Sequence, residues 1–423
     1  MAYTYANTLT SLNTQFKYVQ DKAQNLLPEN ACLMKLVPEI TEATKEGRKY
    51  LVPCQLSHEN GVTFGDGTVF ALNDAAAAVY DEIEVDALPI VLLTQISESV
   101  ANRMANDSKT FMREASLRAQ VMYDSLARVL EISMLYGRSA TGIGSFQASS
   151  WTTATTDGTF IVSAATFSPG IWGGLVGAKI NVYYGSTLVS SGADSVFTVE
   201  TVTASTRTIK INGTQTGIAA IETNKAQALY VVLNGSYTNN MLGLDAQIIG
   251  GAIFLGIDPT IYPLWQGQTY ACGSASLTMA KVLAGDALCV GVGGLNSKSV
   301  LMVSAATYAN LNADQAALRS YDSSYKSSEA DNGSEGIVYY GASGKIEVVV
   351  NNIVKEGEAF LVPVKYLKRV GAKELSFQRP GKTDEFFQEI PGYAGYSLRA
   401  GAEFAILLER PAQACKFTGI VNS

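Results

Sequence analysis

The sequence contains one histidine, His58, in 423 residues. Histidine is the side chain whose ordinary pKa lies nearest neutrality. Ser-His-Asp, Cys-His and His-rich metal chemistry must therefore all run through this position. It stands in Ser57-His58-Glu59-Asn60-Gly61, the pattern of a hairpin tip, where a solvated histidine is the simpler reading. Cysteine is scarce too: Cys32, Cys54, Cys272, Cys289 and Cys415, odd in number, with no pair at zinc-knuckle spacing. No basic-then-apolar leader is visible in Met1-Ala2-Tyr3-Thr4-Tyr5, so these read as free thiols in a reducing compartment. Charged residues make up only 16%, with a net charge of −7. A general nucleic-acid binder needs a basic surface, and this balance excludes one. No apolar run reaches the roughly 20 residues that span a bilayer. What is abundant is hydrophobic residues, at 47%, with 38 glycines in no strict period. That excludes a disordered or collagen-like chain and leaves length for two or three cored domains.

Motifs for catalysis fail one by one. Gly291-Val292-Gly293-Gly294-Leu295-Asn296-Ser297-Lys298-Ser299 has the glycines of a phosphate loop, but serine stands before the lysine and a strand pattern follows. The backbone amides would not converge at a helix N-terminus. Gly142-Ile143-Gly144 lacks the third glycine of a dinucleotide fingerprint and follows a helix pattern. No Gly-x-Ser-x-Gly elbow has a partner histidine. Asp81-Glu82 and Asp384-Glu385 are carboxylate pairs with nothing to place them in a pocket. Lys365, Lys368, Arg369 and Lys373 form a small basic cluster that reads as an ion-pairing face. No catalytic, cofactor or metal residue is assigned, and no enzymatic activity is expected.

Along the chain, five stretches differ in character. Residues 1–45 form an arm in which Leu9, Leu12, Phe16, Val19, Ala23 and Leu26 recur at helical spacing until Pro28. Residues 46–73 read as a long β-hairpin turning at Asn60-Gly61 and returning through Val62–Phe64 and Thr68–Phe70. A two-stranded ribbon of this length is marginal alone and implies a partner surface. Residues 74–145 carry the strongest helical signal. No glycine or proline occurs between Pro89 and Gly137, and Ile96, Val100, Met104, Phe111, Ala115, Met122, Leu126 and Val129 form a stripe. The expected helix has forty-odd residues, capped at Gly137. Residues 146–240 hold only eight charges, at Asp157, Lys179, Asp194, Glu200, Arg207, Lys210, Glu222 and Lys225. Alternating runs at Lys179–Tyr184, Val196–Val202, Arg207–Ile211 and Ala228–Leu233 predict an inserted all-β barrel or sandwich, with turns at Gly185, Asn212-Gly213 and Asn234-Gly235. Residues 241–423 are mixed. Helices are expected at Asp245–Leu255, Leu277–Val290 and Ala306–Ser320. Strands are expected at Ser299–Val303, Lys345–Val350, Ala359–Pro363, Phe386–Ile390 and Tyr396–Leu408.

An arm and a hairpin without partners in their own neighbourhood make sense if they clasp other subunits. The order of parts resembles the major capsid proteins of tailed double-stranded DNA bacteriophages. Segments carrying the resemblance are Gly256-Ile257-Asp258-Pro259, Tyr262-Pro263-Leu264-Trp265, Val300–Ser304 with Tyr308–Leu311, Asp314–Arg319, Tyr321–Tyr325, Asn332–Ile337, Val354-Lys355-Glu356-Gly357-Glu358-Ala359-Phe360 and Asp384–Phe387. They cover the regions on both sides of the β module.

The resemblance implies an α+β, Hong Kong 97-type fold. Its parts are an N-arm (1–45), extended loop (46–73), peripheral domain with spine helix (74–145), inserted domain (146–240), and axial domain with remaining peripheral strands (241–423). It implies a structural protein of the virion that self-assembles into hexamers, pentamers and an icosahedral head, built in the host cytoplasm. Implied partners are a separate scaffolding protein, because the arm begins within ten residues of Met1, a portal protein, a decoration or cement protein, and packaged DNA held by weak non-specific contact. No membrane and no cofactor is implied. One family member links its subunits by a lysine–asparagine bond from the extended loop. Here no lysine lies between Lys49 and Lys109, so no such crosslink is expected. A cellular nanocompartment shell of the same fold is the alternative.

Overall fold

The computed structural model describes residues 32–37, 44–46, 49–65, 67–98, 108–249, 253–295, 298–319, 337–377 and 386–422. The helical stripe expected in the arm and the Asp384-Glu385 pair lie outside them.

The first described element is a short helix, α1 (Cys32–Leu36), whose Leu33 and Met34 are buried. Three strands then form an antiparallel ribbon: β1 (Thr44–Glu46), β2 (Lys49–Gln55) and β3 (Tyr80–Asp86). β2 pairs with β3 from Lys49↔Asp86 to Gln55↔Tyr80. Pro53 lies beyond the end of β1, where its missing N–H costs no ladder bond. The hairpin is thus longer than expected. Its return strand is 80–86, and Asn60-Gly61 is not the turn. Past β2 the two arms stay joined by Leu56 N–H to Val79 O at 2.9 Å and Asn60 N–H to Ala76 O at 3.0 Å. The chain reverses only after Val62, where the Asn73 amide donates to Val62 O and the Asn73 backbone N–H donates to Thr63 Oγ1, both at 2.8 Å. Gly61 serves close approach. A Cβ there would stand 3.0 Å from Asp74 O.

The expected forty-residue helix divides. Its first part is a strand, β4 (Pro89–Ser97), opened by a proline at a strand position that tolerates it. The helix α2 runs Ser108–Tyr136, 29 residues or about 43 Å. Ile96 therefore pairs with Tyr396 in a sheet and is buried there. Ile96→Asp should leave the subunit insoluble on expression, because an unpaired carboxylate in that position costs several kcal/mol. Soluble, monodisperse protein would contradict this burial. At the helix end Gly137 N–H donates to Ser133 O at 2.8 Å, but the left-handed residue is Arg138, at φ 52°. Gly137 is there for space, since a Cβ would meet Met241 O at 2.3 Å.

The module that follows is a closed barrel. β5 (Gly144–Thr153), β6 (Asp157–Val162), β7 (Lys179–Tyr184), β8 (Thr187–Leu188), β9 (Phe197–Thr203), β10 (Thr208–Asn212) and β11 (Leu229–Leu233) run β11-β5-β6-β10-β9-β7, and β7 pairs back to β11. β8 is a short flap on β7. Phe160, Val162, Ile180, Val182, Phe197, Ile209, Ile211 and Val231 are buried at alternate strand positions. The module is not all-β. Besides a one-turn helix, α3 (Pro169–Trp172), it contains α4 (Gln215–Thr223), capped by Thr214, whose side chain accepts Gly217 N–H at 3.1 Å. The glycine of Asn212-Gly213 does not make a hairpin. It clears the Phe197 ring, which a Cβ would meet at 2.6 Å.

After α5 (Leu244–Ile249) come β12 (Gln268–Ala275), α6 (Met279–Gly293), β13 (Lys298–Val303), α7 (Ala305–Arg319), β14 (Val338–Gly341), β15 (Gly344–Val350) and β16 (Glu358–Pro363). The chain ends with β17 (Leu367–Ser376), β18 (Phe387–Glu389), β19 (Gly395–Leu408) and β20 (Cys415–Ile420). Two sheets result. One is six-stranded and mixed, ordered β12-β20-β16-β13-β15-β14, and it packs with α6 and α7 over its own core of Leu277, Val282, Leu301, Leu311 and Phe417. The other centres on the 14-residue β19, which pairs with β4 on one edge and with β17 and β18 on the other. Its core is continuous with α2 and the barrel.

Candidate assembly surfaces and a buried charged junction

The positions singled out for chemistry come apart in space. Exposed His58 lies near the root of the hairpin, and Asp81 and Glu82 are exposed on β3. The glycine-rich segment leaves the C-terminal end of α6 and enters β13. A helix C-terminus presents carbonyls, the wrong pole for phosphate. Cys272, Cys289 and Cys415 are buried free thiols. Contact with the Cys415 thiol, and burial, push the Cys289 thiol far up, which makes it inert. The basic cluster is largely self-satisfied. Lys368 pairs with Glu409 at 2.6 Å, and Arg369 pairs with Glu374 and donates to Val37 O, both at 3.1 Å. Among the described residues, no three His, Cys, Asp or Glu side chains are grouped to hold a metal.

Instead, the structure gathers charge at a junction the sequence reading missed. Lys416 on β20 contacts Asp245 on α5 and donates to Glu358 on β16 at 2.8 Å. Asp245 accepts a second bond from Ser139 Oγ, just past α2. Close by, Lys355 has no exposed surface and donates to Thr141 Oγ1 at 2.8 Å and Gly142 O at 2.9 Å. Its ammonium sits 4.0 Å from the Tyr136 ring centroid. Burial lowers the Lys355 pKa. Burial also works against the Lys416 ammonium, but the Asp245 and Glu358 carboxylates outweigh it and raise that pKa. Burial, then the Glu358 charge, drives the Tyr136 hydroxyl well up. Two cations and two carboxylates thus tie the end of α2, the barrel entrance, α5 and the six-stranded sheet into one block. The sequence signal was present in Lys355-Glu356-Gly357-Glu358, but the bonded partners at the junction stand 58 to 214 residues apart.

Three further contacts fix the barrel. Ser168 Oγ donates to Asn352 O at 2.7 Å, Glu356 N–H to Phe167 O at 2.9 Å, and Arg128 to the carbonyls of Gly170 and Ile171. On the same helix Glu131, 1% exposed, accepts Leu33 N–H at 2.8 Å, Met34 N–H at 3.3 Å and the Asn351 amide at 2.9 Å. Burial raises the Glu131 pKa against those three bonds. The start of the described chain is thereby fastened to α2.

Among the described residues, the hairpin carries a group of exposed apolar side chains. On the hairpin Phe64 is 93% exposed, Leu72 81% and Tyr80 72%. From 50 to 102 there is no lysine or arginine, while Glu59, Asp66, Asp74, Asp81, Glu82, Glu84, Asp86 and Glu98 are acidic. Exposed apolar residues on a projecting ribbon mark a binding surface.

No family model and no curated protein matches the chain. Solved structures do. A chain from the Cyanophage A-1(L) capsid asymmetric unit is 11% identical, covers 93% of this chain and 93% of its own length, and has a TM-score of 0.50. The chain shares that fold. A chain from the capsid of the native GTA particle has a TM-score of 0.47 at 8% identity, covering 93% and 92%. One from the holo-SrpI encapsulin complex of Synechococcus elongatus PCC 7942 has 0.42 at 8%, covering 94% and 89%. The capsid-type α+β fold implied by the sequence resemblance is therefore present, at the level of fold, across nearly the whole chain.

Proposed function

We propose that this chain is the structural major capsid protein of a tailed double-stranded DNA phage, which self-assembles into the icosahedral head. The observation that carries the reading is the fold shared with a phage capsid chain over 93% of both lengths. In Hong Kong 97 terms, the ribbon of β2 and β3 is the extended loop and α2 the spine helix. The β19 sheet belongs to the peripheral domain, the six-stranded sheet with α6 and α7 to the axial domain, and the barrel is the inserted domain. Separate scaffolding, portal and decoration partners, a virion location and weak contact with packaged DNA follow from the same reading. An exposed apolar ribbon supports it physically, because obligate interfaces are more apolar than ordinary surface.

The test is sedimentation velocity with negative-stain imaging, on protein made alone and with the products of neighbouring reading frames. Closed polyhedral shells, or capsomers that close when a scaffold is supplied, are expected. A species of 45.0 kDa under every condition would overturn the reading.

A further inference from the structure

Four Asn-Gly pairs occur in the sequence, beginning at Asn60, Asn212, Asn234 and Asn332. Asparagine before glycine is the dipeptide most open to self-deamidation, because glycine has no Cβ to obstruct its own nitrogen. The reaction has two needs. The asparagine amide must be free to turn toward the following nitrogen, and that nitrogen must not be held as a donor elsewhere.

Two of the pairs are locked. At the end of β10 the Asn212 amide donates to Asp157 Oδ1 at 2.7 Å, and Gly213 N–H donates to Thr156 O at 2.9 Å. Just past β11, Gly235 N–H donates to Asn181 Oδ1 at 2.9 Å, and buried Asn181 is itself anchored to Ser195 O at 2.8 Å. Asn60 differs. It is exposed, as is Gly61, and among the described residues neither its side chain nor the Gly61 N–H has a hydrogen-bond partner. The pair at Asn332 lies outside the described residues.

We infer that Asn60-Gly61 is a self-modification site, at which this chain loses ammonia and gains an isoaspartate. The Gly61 nitrogen gives up its proton and attacks Asn60 Cγ. An N–Cγ bond forms, the Cγ–Nδ2 bond breaks, and Nδ2 departs as ammonia. Water then opens the succinimide ring. Opening at Cγ leaves aspartate, and opening at the former Asn60 carbonyl leaves isoaspartate, with Cβ and Cγ now in the main chain. Either product adds a negative charge to a stretch, 50–102, that holds no lysine or arginine. Isoaspartate also lengthens the main chain between two fixed points of the hairpin. One is the bond from Asn60 N–H to Ala76 O, at 3.0 Å. The other is the closure in which Asn73 contacts Val62 O and Thr63 Oγ1, both at 2.8 Å. The lengthened arm overshoots its partner, and the tip closure falls out of register.

The experiment ages the unassembled subunit at mildly alkaline pH and follows each Asn-Gly peptide by mass spectrometry, with isoaspartyl methyltransferase labelling to separate the two products. The Asn60 peptide should convert at least about tenfold faster than those of Asn212 and Asn234, the factor that corresponds to opening a bond worth about 1.4 kcal/mol. In denatured chain all three should convert at similar rates. Asn60→Gln, whose longer side chain closes the ring far more slowly, should abolish the fast conversion. Hydrogen exchange in the peptide containing Asn73 should quicken in aged wild type and stay unchanged in aged Asn60→Gln. Conversion in folded protein no faster at Asn60 than at Asn212 would overturn the site. Unchanged exchange at Asn73 in isoaspartate-bearing protein would overturn the register shift. Neither outcome depends on whether the chain builds shells.

Discussion

Replacing residues 57–78 with an Asn-Gly turn is expected to leave a folded subunit that forms no closed shell. Leu56 and Val79 face each other directly beyond the last β2–β3 pair, Gln55↔Tyr80, so a two-residue type I′ turn can join them without disturbing the ribbon. The removed segment is almost wholly exposed and contributes little to the subunit's core. Its loss uncovers no core and shortens a loop whose closure costs entropy, so the subunit should be no less stable. The denaturant midpoint should therefore be no lower than that of the wild type, while particles vanish from the sedimentation profile. Normal shells from this variant would show that the ribbon is ornament, and the apolar exposure of Phe64 and Leu72 would need another explanation.

Lys416→Met should be the most damaging single substitution at the charged junction. It leaves Asp245 and Glu358 buried without the ammonium that bridges them, and Lys355, bonded to Thr141 and Gly142, does not replace it. Breaking a buried ion pair on one side costs about 3–5 kcal/mol, a large share of the 5–15 kcal/mol that holds a typical domain together. Removing the orphaned charges in the same chain, with Asp245→Asn and Glu358→Gln, should return part of that loss. The effect also has a pH signature. The folded-state pKa of Lys416 is raised, so its stabilising contribution is complete below the ordinary lysine value of 10.5 and disappears as pH climbs through the raised value. The gap between wild type and Lys416→Met in urea midpoint should stay constant from neutrality to about pH 10 and narrow above it. A gap that narrows on acidification instead would mean that another group sets the stability of this block.

How much of this could be read from residues alone depends on what each element shows to its near neighbours. β7 occupies Lys179–Tyr184, the stretch the alternation picks out, because inward positions there are strictly apolar and glycine punctuates the turn. β13, β15, β16 and β19, and helices α6 and α7, are found within two or three residues of their expected ends for the same reason. β4 was hidden because no glycine or proline separates it from α2, and a helical stripe can be drawn through Ile96 by spacing alone. β17 was hidden by its own charge. Lys368 and Arg369 interrupt the pattern of buried Leu367, Val370 and Leu375, and they are accommodated there by partial exposure, by ion pairs to Glu409 and Glu374 and by the Arg369 bond to Val37 O. The hairpin's turn was misplaced because its tip is closed by bonds through the side chains of Asn73 and Thr63, which leave no period in the sequence. The charged junction could not be read at all, since its members are assembled from five elements.

The 14-residue strand β19 sets a schedule for biosynthesis. It receives β4 along one edge, with Ile96 opposite Tyr396, so its sheet joins positions 300 residues apart in the chain. The barrel, by contrast, closes within residues 144–233 and needs nothing outside that span for its ring of strands. A ribosome adding roughly 5–20 residues per second completes the barrel about 10–40 s before the C-terminus is released. During that interval β4 and the inner face of α2 have no sheet to cover them. Long-range pairings of this kind are slow to form and leave apolar strands open to other nascent chains. The yield of soluble subunit should therefore be governed by events late in synthesis, and chaperones that hold a nearly finished chain should matter more to it than any change that strengthens the barrel.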